Sequence, residues 1–225
     1  MAHGQQETNQ GNTDQDNVVG MSALDIADWR LRTFALYDTV RRIAADSPAE
    51  AHSYWRHQRD LMFATHPASA LTPAAKAQFS GLKTADYDPI YRFHVPLTKE
   101  GAGREMSVET GTDGVVNFVR LGTFDLPEMG QLAVWKLQGY GGGIFVPFRD
   151  ATAGTPGGTY GAGRYLLDTI KGAFHGVNGS GPDATFVLDF NFAYNPSCAY
   201  NDAWACPLPG PSNRLAVDIP AGELY

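Results

Sequence analysis

The chain has 225 residues, 43% of them hydrophobic and 18% charged, with a formal net charge of -7. That size suits one domain with an appendage or two small ones, with enough apolar content for a real core. The acidic balance, with Arg41-Arg42 as the longest basic run, argues against a nucleic-acid backbone or an anionic membrane surface as main partner. The first twenty residues lack the basic start and apolar centre of a secretory signal, and no apolar run approaches the roughly 20 residues of a membrane helix. A soluble, cytoplasmic protein is expected. Cys198 and Cys206 are then expected as thiols and not as a disulfide.

Residues 1–20 are Gln, Asn, Asp, Gly and Thr with almost nothing to bury, and read as a disordered polar tail. Residues 21–82 read as a helical segment. Ser22 with Asp25 three positions on is close to a capping box, and a helix is expected to Ala45. Leu24, Ala27, Leu31, Phe34, Ala35 and Val40 would form its core-facing stripe, and Arg41 and Arg42 would complement the dipole of its last turn. Ser47-Pro48-Ala49-Glu50 starts a second helix reaching about Ala64 and carrying Tyr54, Trp55, Leu61 and Met62. Thr72-Pro73 starts a third, short one ending near Phe79.

From Tyr87 the apolar period changes from helical to alternating, and residues 83–225 read as an antiparallel β domain. Tyr91–Leu97 is a strand, and Arg104–Thr110 is expected to pair back on it as a hairpin. Gly111–Gly114 turns again. Val115–Phe124 is apolar on both faces, hence central. In Gln131–Gln138, Leu132 and Val134 face one way and Trp135 and Leu137 the other. Further strands are expected at Gly143–Phe148, Arg164–Thr169, Thr185–Phe192 and Arg214–Ile219. Strands in series with short turns and no intervening helices indicate a mainly β (α+β) fold. The expectation is an antiparallel barrel or sandwich with two to three N-terminal helices.

The glycine-rich Gly154–Arg164 stretch lacks the Gly-Lys-Ser/Thr ending of a phosphate loop, so its glycines are read as turns and bulges. His52 and His57 are five apart, not the four of a helical zinc pair, and are read with His66 as surface or helix-packing residues. Cys198 and Cys206 have seven residues between them and no nearby His or Cys, so no metal is assigned. No cofactor is expected.

The chemistry concentrates in Phe186–Pro207. Strand parity puts Phe186, Leu188, Phe190 and Phe192 on one side and Asp189 and Asn191 on the other. Pro196 then breaks the ladder after Asn195. Asp150, Arg164, Asp189 and Asn191 lie near the ends of the most apolar strands. Two readings stay open. In one, Arg164 forms a structural salt bridge with Asp150 or Asp189 that closes one end of the sheet, and the module is non-catalytic. In the other, these groups with Tyr165, Asn195, Cys198, Tyr200 and Asn201 line a pocket for a small polar or anionic ligand. There an Arg fork would take a carboxylate or phosphate, and an Asp would act as acceptor or base for hydrolytic chemistry. The parity pattern further suggests that Asp189 faces Arg164 across the sheet end. The oligomeric state is not encoded legibly.

Several of these residues also carry a resemblance. Phe148-Arg-Asp150, Tyr160-Gly-Ala-Gly-Arg164-Tyr165, Leu188-Asp-Phe-Asn191, Asn195-Pro-Ser-Cys198-Ala-Tyr-Asn201 and Cys206-Pro207 resemble a bacterial and archaeal family named only as domain of unknown function 1684. The upstream Trp55-Arg56 and Arg59-Asp60 are similar to that family's helical entry. The resemblance spans roughly Tyr54 to Glu223. It implies no activity, because the family has none assigned.

Overall fold

The computed structural model describes residues 21–110 and 114–225. The expected tail and the centre of the Gly111–Gly114 turn lie outside the described residues.

Among the described residues three α-helices precede the strands: α1 (Ala23–Ala44), α2 (Pro48–Thr65) and the short α3 (Pro73–Ala77). The Ser22/Asp25 capping box forms in full, with Asp25 N–H donating to Ser22 Oγ at 3.1 Å and Ser22 N–H to Asp25 Oδ2 at 3.0 Å. Pro48 opens α2 as expected, but the Ser47 side chain makes no capping bond. The face of α1 matches the expected one only at Val40. Leu24 and Leu31 are 82% and 68% exposed, and Ala27, Phe34 and Ala35 are exposed as well. The buried set is Leu36, Tyr37, Val40 and Ala44, which pack with Ala51 and Trp55 of α2. A polar contact tips the balance: Trp55 Nε1–H donates to the buried Tyr37 hydroxyl at 3.1 Å, so the helix rotates to bring the phenol inside.

Eight strands follow among the described residues: β1 (Arg92–Pro96), β2 (Glu105–Thr110), β3 (Gly114–Leu126), β4 (Gly130–Gln138), β5 (Ile144–Phe148), β6 (Arg164–Asp168), β7 (Val177–Asn178) and β8 (Thr185–Asp189). They form two antiparallel sheets, β2-β3-β4-β5-β6 and β1-β8-β7. The architecture is an α+β sandwich; no closed barrel forms. The expected hairpin between the first two strands does not form. β2 pairs with β3, and β1 pairs with β8, with Phe93 opposite Leu188 and Val95 opposite Phe186. β1 is rich in aromatic and β-branched residues, and its best apolar complement is the equally aromatic β8, about ninety residues later in the chain. Pairing with the Glu- and Ser-bearing β2 would bury less.

The main core lies between the sheets. Phe124, Leu132, Val134, Val146, Phe148 and Leu166 of the larger sheet meet Val95, Leu188 and Phe190 from the smaller sheet side. The other face of the larger sheet buries Phe118, Ala133, Trp135, Phe145 and Tyr165. Leu132/Val134 and Trp135/Leu137 therefore do face opposite ways. A third cluster joins the helices to the β structure through Tyr37, Val40, Trp55, Ala173 and Phe192. Phe192 leaves the expected line of four because the strand ends at Asp189 and Phe190–Phe192 turns as a 3-10 helix. That turn aims Phe192 at the helices while Phe190 stays in the main core.

The β1 end crosses onto β3 through reciprocal Thr98–Thr123 backbone bonds of 3.0 and 3.2 Å. This contact needs Gly122: a Cβ there would lie 1.8 Å from the Thr98 carbonyl oxygen. Beyond Asn213 the expected last strand is absent. Arg214 makes a single parallel bridge to Arg149, and residues after it run without a ladder. Their carbonyls are taken instead by a side chain. Arg164, 0% exposed, donates to Ile219 O (2.8 Å), Glu223 O (3.1 Å) and Ala221 O.

Candidate functional site

The expected ion pair of Arg164 splits the two alternatives cleanly. Arg164 Nη2–H donates to Asp150 Oδ2 at 2.9 Å, and both heads are buried. Asp150 also accepts from Thr152 N–H (2.9 Å), Thr152 Oγ1 and Thr159 Oγ1 (2.6 and 2.7 Å). Burial pushes the Asp150 carboxyl up, but these hydroxyls and the guanidinium outweigh it and hold it below the usual range. Burial lowers Arg164 from its ordinary value, opposed by Asp150. Every Asp150 oxygen is bonded, and the glycine-rich segment 154–163 serves as the turn that returns Thr159 to it. Asp150 and Arg164 thus lock the fold, and neither is among the residues that line the cavity described next.

Asp189 does not face Arg164. β8 belongs to the smaller sheet and β6 to the larger, so the two strands are not neighbours. Asp189 is the register partner of Arg92, whose Nη1–H donates to Asp189 Oδ2 at 2.7 Å. Asp189 Oδ1 caps the following 3-10 turn by accepting from Asn191 N–H and Nδ2–H (3.1 and 2.8 Å). Burial raises the Asp189 pKa, with Arg92 and Asn191 opposing. Asn191 also bonds both backbone groups of Asp88. These two residues are satisfied and sealed. Asn201 caps a turn through Ala203 N–H at 3.0 Å. Cys198 lies in a 3-10 turn of the same loop, where its carbonyl accepts from the Tyr160 hydroxyl at 3.2 Å.

Three of the expected residues, Tyr165, Asn195 and Tyr200, do line a cavity. It has a volume of about 140 Å³ and sits between α1, α2 and the 194–204 loop. That is close to the engineered cavity of about 150 Å³ that accepts benzene in another protein. The loop arises because Pro196 ends the bridge that Tyr194 makes with Tyr165 and sends the chain across the helices.

Arg59 of α2 forms one wall. Its guanidinium lies 5.0, 5.3 and 5.1 Å from the ring centroids of Trp55, Phe63 and Tyr194. Nε–H and Nη2–H both donate to Glu223 Oε1, the former at 2.9 Å. Burial would lower the Arg59 pKa, but Glu223, Tyr200 and Tyr37 together more than reverse this, so the head stays charged. Glu223 Oε2 accepts from Asn195 N–H at 2.8 Å and from the Tyr200 hydroxyl at 2.5 Å. Burial, then Glu223, pushes the Tyr200 pKa well up, so the phenol remains a donor.

Two buried polar atoms on the cavity-lining residues lack partners among the described residues: Asn195 Oδ1 and Trp204 Nε1. Arg30 and Lys171 also line the cavity and form no ion pair among the described residues. The lining holds no His, Cys, Asp or Glu. Its apolar part includes Ile26, Trp29, Phe63, Ala68 and Ala70.

The helical side of this cavity escaped sequence reasoning. The available signal was Trp55, Arg59 and Phe63, spaced four apart: an Arg between two aromatics on one helix face belongs to a buried side. Glu223 had no local signal.

The comparisons with known proteins agree with this architecture. A family described as a protein of unknown function (DUF1684) matches residues 77–224. The chain belongs to this family. Among solved structures, the family member is similar to the solution NMR structure of an uncharacterized protein of Haloarcula marismortui. The two share 32% identity with a TM-score of 0.54, over 76% of this chain and 90% of that one. No curated protein matches. The family match begins at residue 77, so α1 and α2, which supply Arg30 and Arg59, precede it. No helix among the described residues is long and apolar enough to cross a membrane.

Proposed function

We propose that the protein binds a small organic anion with an apolar body in the cavity between α1, α2 and the 194–204 loop. The observation that carries this reading is the pair of unpartnered buried atoms, Asn195 Oδ1 and Trp204 Nε1, on one cavity. A buried donor or acceptor left unpaired costs about 1–3 kcal/mol. A carboxylate oxygen accepting from Trp204 Nε1–H recovers that donor, and a hydroxyl or N–H elsewhere on the ligand would meet the acceptor Asn195 Oδ1. The cations Arg30 and Lys171, with no carboxylate in the lining to offset them, favour negative charge. The aromatic and alanine surface of Trp29, Phe63, Ala68 and Ala70 favours a flat or short apolar body.

Hydrolysis is not part of the reading. General-base work needs a His or carboxylate within hydrogen-bond reach, and the lining contains neither. Ser197 is present without an activating partner.

The test is thermal melting and calorimetric titration with benzoate, hexanoate, neutral benzamide and inorganic phosphate. Benzoate or hexanoate should raise the melting temperature and bind more tightly than benzamide and phosphate. Lys171→Ala and Trp204→Phe should each weaken that binding several-fold while leaving the free protein's stability within about 1 kcal/mol. If neither carboxylate shifts the melt, or benzamide binds equally well, the reading is wrong.

A further inference from the structure

Four tyrosines line the cavity between α1, α2 and the 194–204 loop: Tyr37, Tyr165, Tyr194 and Tyr200. A phenol has one hydrogen to donate and can also accept. In three of the four that hydrogen is committed. Tyr165 Oη–H donates to Pro207 O at 2.7 Å, Tyr194 Oη–H to Asp168 Oδ2 at 3.1 Å, and Tyr200 Oη–H to Glu223 Oε2. The Thr33 hydroxyl, also in the lining, donates to Trp29 O at 2.8 Å. Tyr37 differs. Its oxygen accepts from Trp55 Nε1–H at 3.1 Å, and its own hydrogen has no acceptor among the described residues. Nε2 of His175, whose ring lies edge-on with centroids 5.5 Å apart, takes no bond from it. Tyr37 is 1% exposed, so bulk solvent does not take that hydrogen.

We propose that Tyr37 is a specificity-determining donor of this cavity, its hydroxyl donating to the carboxylate of the bound ligand while Trp55 holds its oxygen in place. This rests on the binding reading above and adds a group that selects the head of the ligand. Burial, the largest influence, pushes the Tyr37 phenol up to about 12, so it keeps its hydrogen at neutral pH. The chain from Trp55 N–H through the Tyr37 hydroxyl to a carboxylate runs in one direction, and each bond polarises the next. A hydroxyl that already accepts from an N–H is a stronger donor than a free one. Tyr37 Oη–H thus joins Trp204 Nε1–H as a second neutral donor on the cavity lining, and Arg30 and Lys171 supply the positive charge.

The ligand class that fits is a monocarboxylate with a compact apolar body. A head group that only donates, such as a primary ammonium, meets two hydrogens and two cations. A lining donor left unpaired by such a ligand counts against it, which is how a site built to hydrogen-bond one group rejects analogues that lack it. The orientation of α1 serves the same end, because the face that packs on Trp55 is the face that carries Tyr37 to the cavity.

The test titrates benzoate, hexanoate and benzylamine into full-length protein by calorimetry below neutral pH. Three proteins are compared: wild type, Tyr37→Phe, and protein carrying difluorotyrosine at position 37, each with its melting temperature recorded. Tyr37→Phe should weaken both carboxylates by about tenfold or more, the loss expected for a hydrogen bond to a charged group. Fluorination makes the hydroxyl a stronger donor without moving it, so the fluorinated protein should bind both carboxylates several-fold more tightly. Benzylamine should bind to none of the three. A tyrosine that only packs α1 against α2 would change the melting temperature and leave affinity indifferent to fluorination. The fluorinated protein keeps the ring and the Trp55 contact, so it reports even if Tyr37→Phe does not fold. Carboxylate binding that survives Tyr37→Phe, or that is unchanged or weakened by fluorination, overturns the role of Tyr37 and leaves the cavity reading standing. Benzylamine bound as tightly as benzoate overturns that role as well. Absence of carboxylate binding to wild type overturns both.

Discussion

Arg59 and Glu223 are 164 positions apart in sequence and share a buried ion pair, with side chains 9% and 1% exposed. The pair ties α2 to the last segment of the chain and also supports Asn195 and Tyr200 at the cavity wall. Removing one partner leaves the other charged in a low-dielectric site. Glu223→Gln should cost about 3–5 kcal/mol in urea melts, and Tyr200→Phe about 1 kcal/mol for its single lost bond. A Glu223→Gln protein as stable as wild type would show that the pair is hydrated and contributes little.

Asp189 should couple to Arg92 and not to Arg164. In double-mutant cycles with alanine, the Asp189/Arg92 coupling should exceed about 1 kcal/mol, and the Asp189/Arg164 coupling should stay within about 0.5 kcal/mol of zero. Asp150/Arg164 should couple as strongly as the first pair. A large Asp189/Arg164 term would contradict the assignment of β6 and β8 to different sheets.

Stability should fall on mild acidification. Burial lowers His52 to about 4, helped by Arg56, and His175 to about 3, helped by Arg92 and Arg41. Below about pH 6.5 the unfolded chain takes up protons that these buried imidazoles refuse, so the unfolded state binds more and stability rises with pH. Each histidine should contribute a slope of about 1 kcal/mol per pH unit between pH 6.5 and 4. The raised Asp189 carboxyl acts in the opposite sense, since protonation in the folded state adds stability as pH falls. Replacing both histidines by Phe, which keeps the ring contacts with Trp55, Tyr37 and Phe192, should flatten the slope. An unchanged slope in that variant would assign the acid sensitivity to other groups.

Gly122→Ala should be among the most damaging single-methyl changes. Its Cβ meets a backbone oxygen, which cannot rotate away, so β1 and β3 must separate at Thr98–Thr123. A loss of more than about 3 kcal/mol is expected in denaturant melts, against about 1 kcal/mol for an ordinary substitution. Gly103→Ala is a useful contrast. No atom lies near its Cβ, and only its left-handed backbone (φ 85) opposes the change.

Element types were legible because they depend on local pattern. The capping box at Ser22, Pro48 at the α2 start and the alternation in Gln131–Gln138 all carry their signal within a few residues. What failed depended on distant partners. α1 offers two apolar stripes, and the choice depends on α2, whose Ala51 and Trp55 receive Leu36, Tyr37, Val40 and Ala44. β1 offers a plausible turn towards β2, but its apolar complement is β8. Arg164 was recognised as important, yet its main partners are carbonyls, and a carbonyl leaves no trace in a sequence. At the cavity, Asn195 and Tyr200 are legible because they flank an unusual Pro-Ser-Cys block, and Tyr165 because it follows Arg164. Arg59 and Glu223 were missed because each makes sense only with the other in view.

The guanidinium of Arg164 has a temporal consequence. It sits on the larger sheet, whose five strands are complete by residue 168, but three of its acceptors are carbonyls of residues 219–223. During synthesis the sheet therefore emerges with a cation that has most of its acceptors still inside the ribosome. The interior around Phe148 and Arg164 cannot close dry until residues 219–223 have emerged, so native packing should arrive late and all at once. Chains arrested at residue 218 should remain protease-sensitive throughout the sheet, and chains arrested with residue 225 clear of the exit tunnel should be protected.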